Sequence, residues 1–211
     1  MNEASFSKTI LAIGVRAMTG PKRKKYSLIL DAAEKVIAGS GYHGAQVSRI
    51  AREAGVADGT VYLYFKNKED ILVSLFRERL GDLVRLFHAS IRETHTAAEA
   101  LRIVCEIHFA MLERQADFAH VTQIELRQSS PELRSAIGLT VKPYIALIES
   151  ILRKGIEEQT FRADLDTKLT RLLLFGAMDQ VVTSWVISGR KYSLSGQVDK
   201  TVDFFLRGLQ G

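Results

Sequence analysis

Seven residues, Thr60–Lys66, hold two tyrosines, a phenylalanine and a lysine inside the stretch GVADGTVYLYFKNKED, residues 55–70. Hydroxyls hydrogen-bond phosphate oxygens without demanding a particular base, and ammonium groups neutralise the phosphate charge. Tyr62, Tyr64, Lys66 and Lys68 are therefore suited to positioning a nucleic-acid backbone. Val61 and Phe65 stand four apart, so both face one side of a helical turn and leave Thr60, Tyr62 and Tyr64 for the other. Base edges fall to Gln46, Ser48, Asp58, Gly59 and Thr60: glycine admits close backbone approach, and the threonine methyl can touch a thymine methyl. Two further readings stand beside these: the tyrosines could pack in a small core, and Asp58 could cap a helix with the same oxygens it would offer to a base.

The elements that must hold these residues are helical. From Tyr26 to Ala38, Ile29, Ala32, Ala33, Val36 and Ile37 follow the 3.6-residue period, and Gly39 and Gly41 supply a stop. Val47, Ile50, Ala51 and Ala54 mark a second helix ending at Gly55, and Asp58 is the expected N-cap of a short third. Helix, glycine turn and short helix form the layout of a helix-turn-helix, which sets its second helix in the major groove of DNA.

Asn67, with Glu69 and Asp70 behind it, is expected to cap a long helix reaching about Arg92. Further helices are expected over Ala97–Gln115, Asp117–Gln128, Pro131–Gln159, Thr167–Ser188 and Ser195–Leu209, with a kink near Leu139 from Pro143. The whole reads as an all-α chain of nine helices.

Charge divides the chain. Residues 1–79 carry 13 Lys and Arg against 8 Asp and Glu, whereas residues 80–211 are balanced at 16 against 16. The densest point is PKRKKY, with Lys24 and Lys25 inside it, and a basic head on a neutral body suggests a polyanion partner for the head alone. The run taken by itself reads equally well as a solvated basic tail. Residues 1–21 are expected to form a disordered extension. A single cysteine and no secretory pattern point to a reducing cytoplasm, and no run of eighteen apolar residues points to a membrane. No nucleophile beside a base, paired carboxylates or phosphate-cradling glycine loop suggests an enzyme. Cys105 and His108 have C-x-x-H spacing, two ligands where a metal site needs three or four.

The stretch Leu169–Ile187 is apolar on nearly every side, and Val198, Val202, Phe205 and Leu209 make one stripe of the last helix. Two such helices fit a four-helix homodimer interface across a two-fold axis, or alternatively a central core helix and its cover.

The stretch GYHGAQVSRIAREAGVADGTVYLYFKNKEDIL resembles the DNA-binding domain of the TetR family of bacterial transcriptional repressors, most densely over residues 24–75. Ala45 and Gln46 depart from the paired threonines common in that family, and Asp58 from its basic or neutral residue, which bears on the operator sequence. The resemblance implies a helix-turn-helix head at residues 22–70 and a ligand-binding and dimerisation body at 71–211.

Within the family, VTQIELRQSSPELR and VVTSWV are similar to regulators of fatty-acid degradation. That similarity implies a repressor of fatty-acid degradation genes, without cofactor, released from operator DNA by long-chain acyl-CoA. A drug or other lipophilic effector of an efflux-type relative is the alternative. An acyl chain would need an apolar tunnel, each buried methylene contributing about 0.8 kcal/mol. Leu101, Val104 and Met111 are candidate lining, Tyr144 and Trp185 candidate cavity wall, and His108 a pocket residue able to hydrogen-bond the thioester. Gln123 is a neighbour one turn before Arg127 on the same face, and Arg127 and Arg134, with Arg114 behind them, are candidates for the CoA phosphates. For His108 a satisfied core histidine, and for the arginines an ordinary surface, are the competing readings.

Overall fold

Local signals set where each helix of the computed structural model begins and ends; it describes residues 20–125 and 130–210. Among the described residues nine α-helices and no strand are present. Helix α1 (Pro21–Gly44) starts on Pro21, whose fixed φ suits a first helical turn. It starts ahead of the apolar period because Lys22–Lys25 point to solvent and leave nothing to register in that period. Gly39 stays helical, and the break comes at Gly41, whose φ of 72° disfavours any side chain. Residues 1–19, most of the expected extension, lie outside the described residues.

Helix α2 (Val47–Glu53) turns through Gly55, at φ 67°, into α3 (Asp58–Tyr62). The expected cap is displaced by one: Ala57 is the N-cap, and Asp58 takes the first helical position, where its carboxylate faces the helix dipole without bonding backbone. Asn67 does cap α4 (Lys68–Ser90), its Oδ1 accepting from the Asp70 N–H at 2.8 Å, while Asp70 Oδ2 accepts from the Lys66 N–H at 2.9 Å. Thr96 and Glu99 form a capping box on α5 (Ala97–Arg114).

The helix expected over Asp117–Gln128 divides into α6 (Ala116–His120) and a π-helical turn, Val121–Glu125, with residues 126–128 outside the described set. Ser130 caps α7 (Pro131–Glu157), which contains Pro143 without being divided by it. Leu139, whose carbonyl loses its helical donor to that proline, is exposed, so water can take the donor's place. Asp166 caps α8 (Thr167–Ile187), and a 3-10 turn leads into α9 (Val198–Leu209).

Helices α1, α2 and α3 close a head around Ile29, Ala33, Ile37, Ile50, Val61 and Phe65. From there α4 runs into the body and packs against α7 and α5, and α8 covers α7, α6 and the π turn. Helix α7 is long and apolar enough, by length and composition, to cross a membrane. Here it buries Leu133, Ile137, Tyr144, Ile148 and Leu152 in the body and carries Glu149, which pairs with Arg171 of α8.

Head and body are joined by charge as well as packing. Arg79 of α4 donates through Nε to Glu34 at 2.8 Å and through Nη2 to Asp31 at 2.7 Å, and Arg23 meets Glu78 at 3.1 Å. Helix α1 also rests on α6 and the π turn.

The end of α7 depends on one glycine. Thr160 and Phe161 both donate their N–H to the Gly155 carbonyl at 2.9 Å, which lays the buried Phe161 ring on Gly155. A Cβ there would stand 2.1 Å from Phe161 Cδ2. Gly155→Ala should therefore cost about 2 kcal/mol and lower the melting temperature by roughly 5 °C in a thermal scan. An unchanged transition would show that the ring has room to move.

Candidate nucleic-acid interface and buried core site

The helix-turn-helix surface is built by burying one side of α3. Val61 and Phe65 go into the head core, Phe65 stacking on Tyr26 with centroids 5.0 Å apart, and this turns Tyr62 outward at 57% exposure. Gln46 is the N-cap of α2 yet makes no side-chain cap bond, so its amide remains available. Gln46, Ser48, Asp58, Tyr62 and Lys68 come together around one shallow concavity with His43 and Val47. His43 carries no signal in the sequence beyond its place at the end of α1, in GYHG.

Other expected contacts divide. Lys24 and Lys25 are exposed on the first turn of α1, outside that concavity, and Lys66 is exposed just past α3. Thr60 is half-buried and Gly59 exposed, with open space where a Cβ would stand. Tyr64 is half-buried, its ring packed near Tyr26 and Phe65, so the packing role applies to it and the outward role to Tyr62. Lys68 is not a free phosphate ligand. Its Nζ donates to the Tyr42 carbonyl at 2.9 Å and the His43 carbonyl at 3.4 Å while lying 4.5 Å from the Tyr42 ring centroid, which ties α4 to the end of α1.

Because Gly59 faces open space, Gly59→Val should leave the fold intact and weaken operator binding by roughly tenfold, since a branched side chain holds the backbone off its partner. Fluorescence anisotropy with labelled DNA, beside circular dichroism of the variant, reads both parts. Retained affinity would move the close approach elsewhere.

In the body, Leu101, Val104, His108 and Met111 are buried along α5 as their spacing requires. His108 Nδ1 lies 3.1 Å from the Tyr144 hydroxyl, and Tyr144 packs on Phe87 at 4.9 Å and edge-on to Phe175 at 5.4 Å. Burial pushes the His108 imidazole down to about 4, so it is neutral at physiological pH. His108 Nε2 is buried with no hydrogen-bond partner among the described residues.

Two expected pocket residues, Gln123 and Trp185, are used differently. Gln123, in the π turn, donates to Asp179 Oδ1 at 2.8 Å and accepts from the Thr183 hydroxyl at 2.7 Å, so its amide fastens the π turn to α8. Trp185 donates to the Tyr192 carbonyl at 2.8 Å and holds the loop after α8. Arg134 is exposed on the first turn of α7, and Arg127 lies outside the described residues.

Helix α8 keeps one face uncovered. Leu169, Leu172, Leu173 and Ile187 are exposed along it at 53 to 70%, with uncharged Gly176, Gln180 and Ser184 between them, and Phe204 of α9 is 73% exposed. No charge interrupts that stripe of α8, which is the composition of a surface covered in an assembly.

The chain matches the family described as bacterial regulatory proteins, tetR family, over residues 29–75, and that described as YsiA-like protein, C-terminal region, over residues 76–208. It is 46% identical over 188 residues to the fatty acid metabolism regulator protein of Bacillus subtilis, covering 89% of this chain and 97% of that one. Its fold is similar to that of the fatty acid degradation regulator FadR from Bacillus halodurans, with a TM-score of 0.86, 46% identity and coverage of 91% and 98%. It is likewise similar to FadR from Bacillus subtilis in complex with stearoyl-CoA, with a TM-score of 0.84, 45% identity and coverage of 88% and 100%.

Proposed function

The chain belongs to the TetR family of bacterial transcriptional regulators, and from that premise we propose that it is a dimeric repressor of fatty-acid degradation genes, released from its operator by long-chain acyl-CoA. One observation carries the reading: 45% identity to a regulator solved with stearoyl-CoA runs over head and body together, so the body and not only the DNA-binding fold is alike. The relatives are regulators, and no catalytic role is assigned to this chain.

Residues 22–70 act as the head, with Gln46, Ser48, Gly59 and Thr60 toward bases and Lys24, Lys25, Tyr62 and Lys66 toward phosphates. Residues 71–211 act as the body, and α8 and α9 pair with their copies through Leu169, Leu172, Leu173, Ile187 and Phe204. The two heads then meet successive major grooves about 34–36 Å apart. The protein works in the cytoplasm, where operator and acyl-CoA both are.

Effector action follows from how α4 is placed. The same helix packs on α5 and α7 in the body and is bound to α1 by Arg79. An acyl chain that parts α4, α5 and α7 must displace the heads. In a gel-shift titration, palmitoyl-CoA should weaken operator binding by roughly 5 to 150-fold, and operator should weaken palmitoyl-CoA binding by the same factor. Unchanged operator binding would refute the effector assignment while leaving the family untouched.

A further inference from the structure

The His108–Tyr144 pair has a definite polarity. If Tyr144 donates its O–H to Nδ1, the imidazole carries its hydrogen on Nε2, and only that N–H is left over. With the other tautomer, Nδ1–H donates to the hydroxyl oxygen, and both the tyrosine hydrogen and the Nε2 lone pair go unused. The first arrangement strands one polar group and the second strands two, so Nε2 is a donor. Among the described residues it is spare, and it is neutral and enclosed.

A buried donor without an acceptor is costly to keep. A lone water would need two to four polar partners. The groups packed on this pair are instead rings, Phe109 with its centroid 5.6 Å from the His108 ring and Phe87 and Phe175 on Tyr144, while Asp179, the carboxylate whose charge bears on Tyr144, is engaged by the Gln123 amide. Leu101, Val104 and Cys105 complete an apolar stretch of α5 beside it. The partner that such a donor calls for is an apolar ligand bearing one neutral acceptor. A carboxylate is not that partner, because a neutral imidazole offers it no compensating charge.

We propose that the Nε2–H of His108 receives the carbonyl oxygen of an acyl effector, so that the body distinguishes an acyl thioester from the alkyl thioether of the same length. This rests on the acyl-CoA reading above and adds to it the atom that reads the acyl group. His108 is then a specificity-determining residue, and Tyr144 the positioning residue that keeps its hydrogen on Nε2.

The experiment compares palmitoyl-CoA with S-hexadecyl-CoA, which lacks the carbonyl oxygen, by isothermal titration against the full-length protein. The thioester should bind roughly tenfold more tightly to the wild type, the preference should fall to near one in His108→Phe, and His108→Gln, which retains a donor, should restore part of it. Equal binding of both ligands by the wild type, or a full preference in His108→Phe, would overturn the assignment. If the wild type binds neither ligand, the acyl-CoA reading fails and takes this one with it. A measurement on the wild type alone guards against a variant that does not fold. The thioester stretch of bound, carbonyl-labelled palmitoyl-CoA should lie below its frequency in an apolar solvent, and a band at the apolar position would also overturn the proposal.

Discussion

Leu173→Glu should convert the protein to a monomer and weaken operator binding by about 100-fold or more. Leu173 is 62% exposed in the single chain, so a glutamate there stays solvated and leaves the monomer's own stability within about 0.5 kcal/mol of the parent. In a two-fold interface the same carboxylate appears twice and loses its water on both sides, with no cation on the exposed stripe of α8 to meet it. Separating the subunits removes the effective concentration that lets the second head bind once the first is on DNA, a factor of roughly 10² to 10⁴. Analytical ultracentrifugation gives the mass and anisotropy gives the affinity. A variant that stayed dimeric would move the interface off α8. One that became monomeric with undiminished affinity would show that each head binds alone.

The elements whose signals lie in neighbouring residues were legible in the sequence. Asn67 and Asp70, Thr96 and Glu99, and Ser130 and Leu133 each fix a helix start through a bond spanning three residues, so reading them needs no tertiary structure. The failures arise where tertiary packing decides. Gly39 carries a stop signal yet stays helical, because Tyr42 beyond it is buried against the head and holds the chain on until Gly41 breaks it. The π turn has no periodicity of its own. It exists where α1 and α8 both press on residues 121–125, and both ends of the Gln123 amide bond to α8.

The same division runs through the candidate sites. Val61 and Phe65 are recognisable as inward residues from spacing alone, and Tyr62 follows as outward. The chemistry of Tyr64 and Lys68 alone suits phosphate contacts. Their use elsewhere depends on Tyr26 and on the carbonyls of Tyr42 and His43, partners more than twenty residues away in sequence. Trp185 illustrates the limit of composition: its ring belongs to an apolar helix, but its N–H is committed to Tyr192 by the reversal of the chain at Gly189.

Arg79→Leu should destabilise the protein by about 3 kcal/mol at neutral pH and by much less near pH 4. Glu34 is buried in α1, and Arg79 is the cation that meets it from α4. Removing one partner of a buried pair costs roughly 3–5 kcal/mol, and the lower end applies because the Arg79 side chain keeps 20% of its exposure. The pH dependence follows from Glu34. Burial raises its carboxyl above the ordinary value, Arg79 opposes that rise, and Asp31 and Asp117 add to it. Without Arg79 the rise is larger, so the folded chain holds this proton more tightly than the unfolded chain does. For a carboxyl raised in this way the associated stability is complete below the ordinary carboxyl range and is lost as pH climbs through the folded value. The deficit against wild type should therefore widen between about pH 4 and neutrality, and Glu34→Gln in the same chain should recover most of it by removing the charge. Urea titrations at pH 4.5 and 7.5, read as differences from wild type at each pH, test this. A deficit equal at both pH values would mean that Arg79 acts through its packed stem, and the charged clamp between head and body would lose its main support.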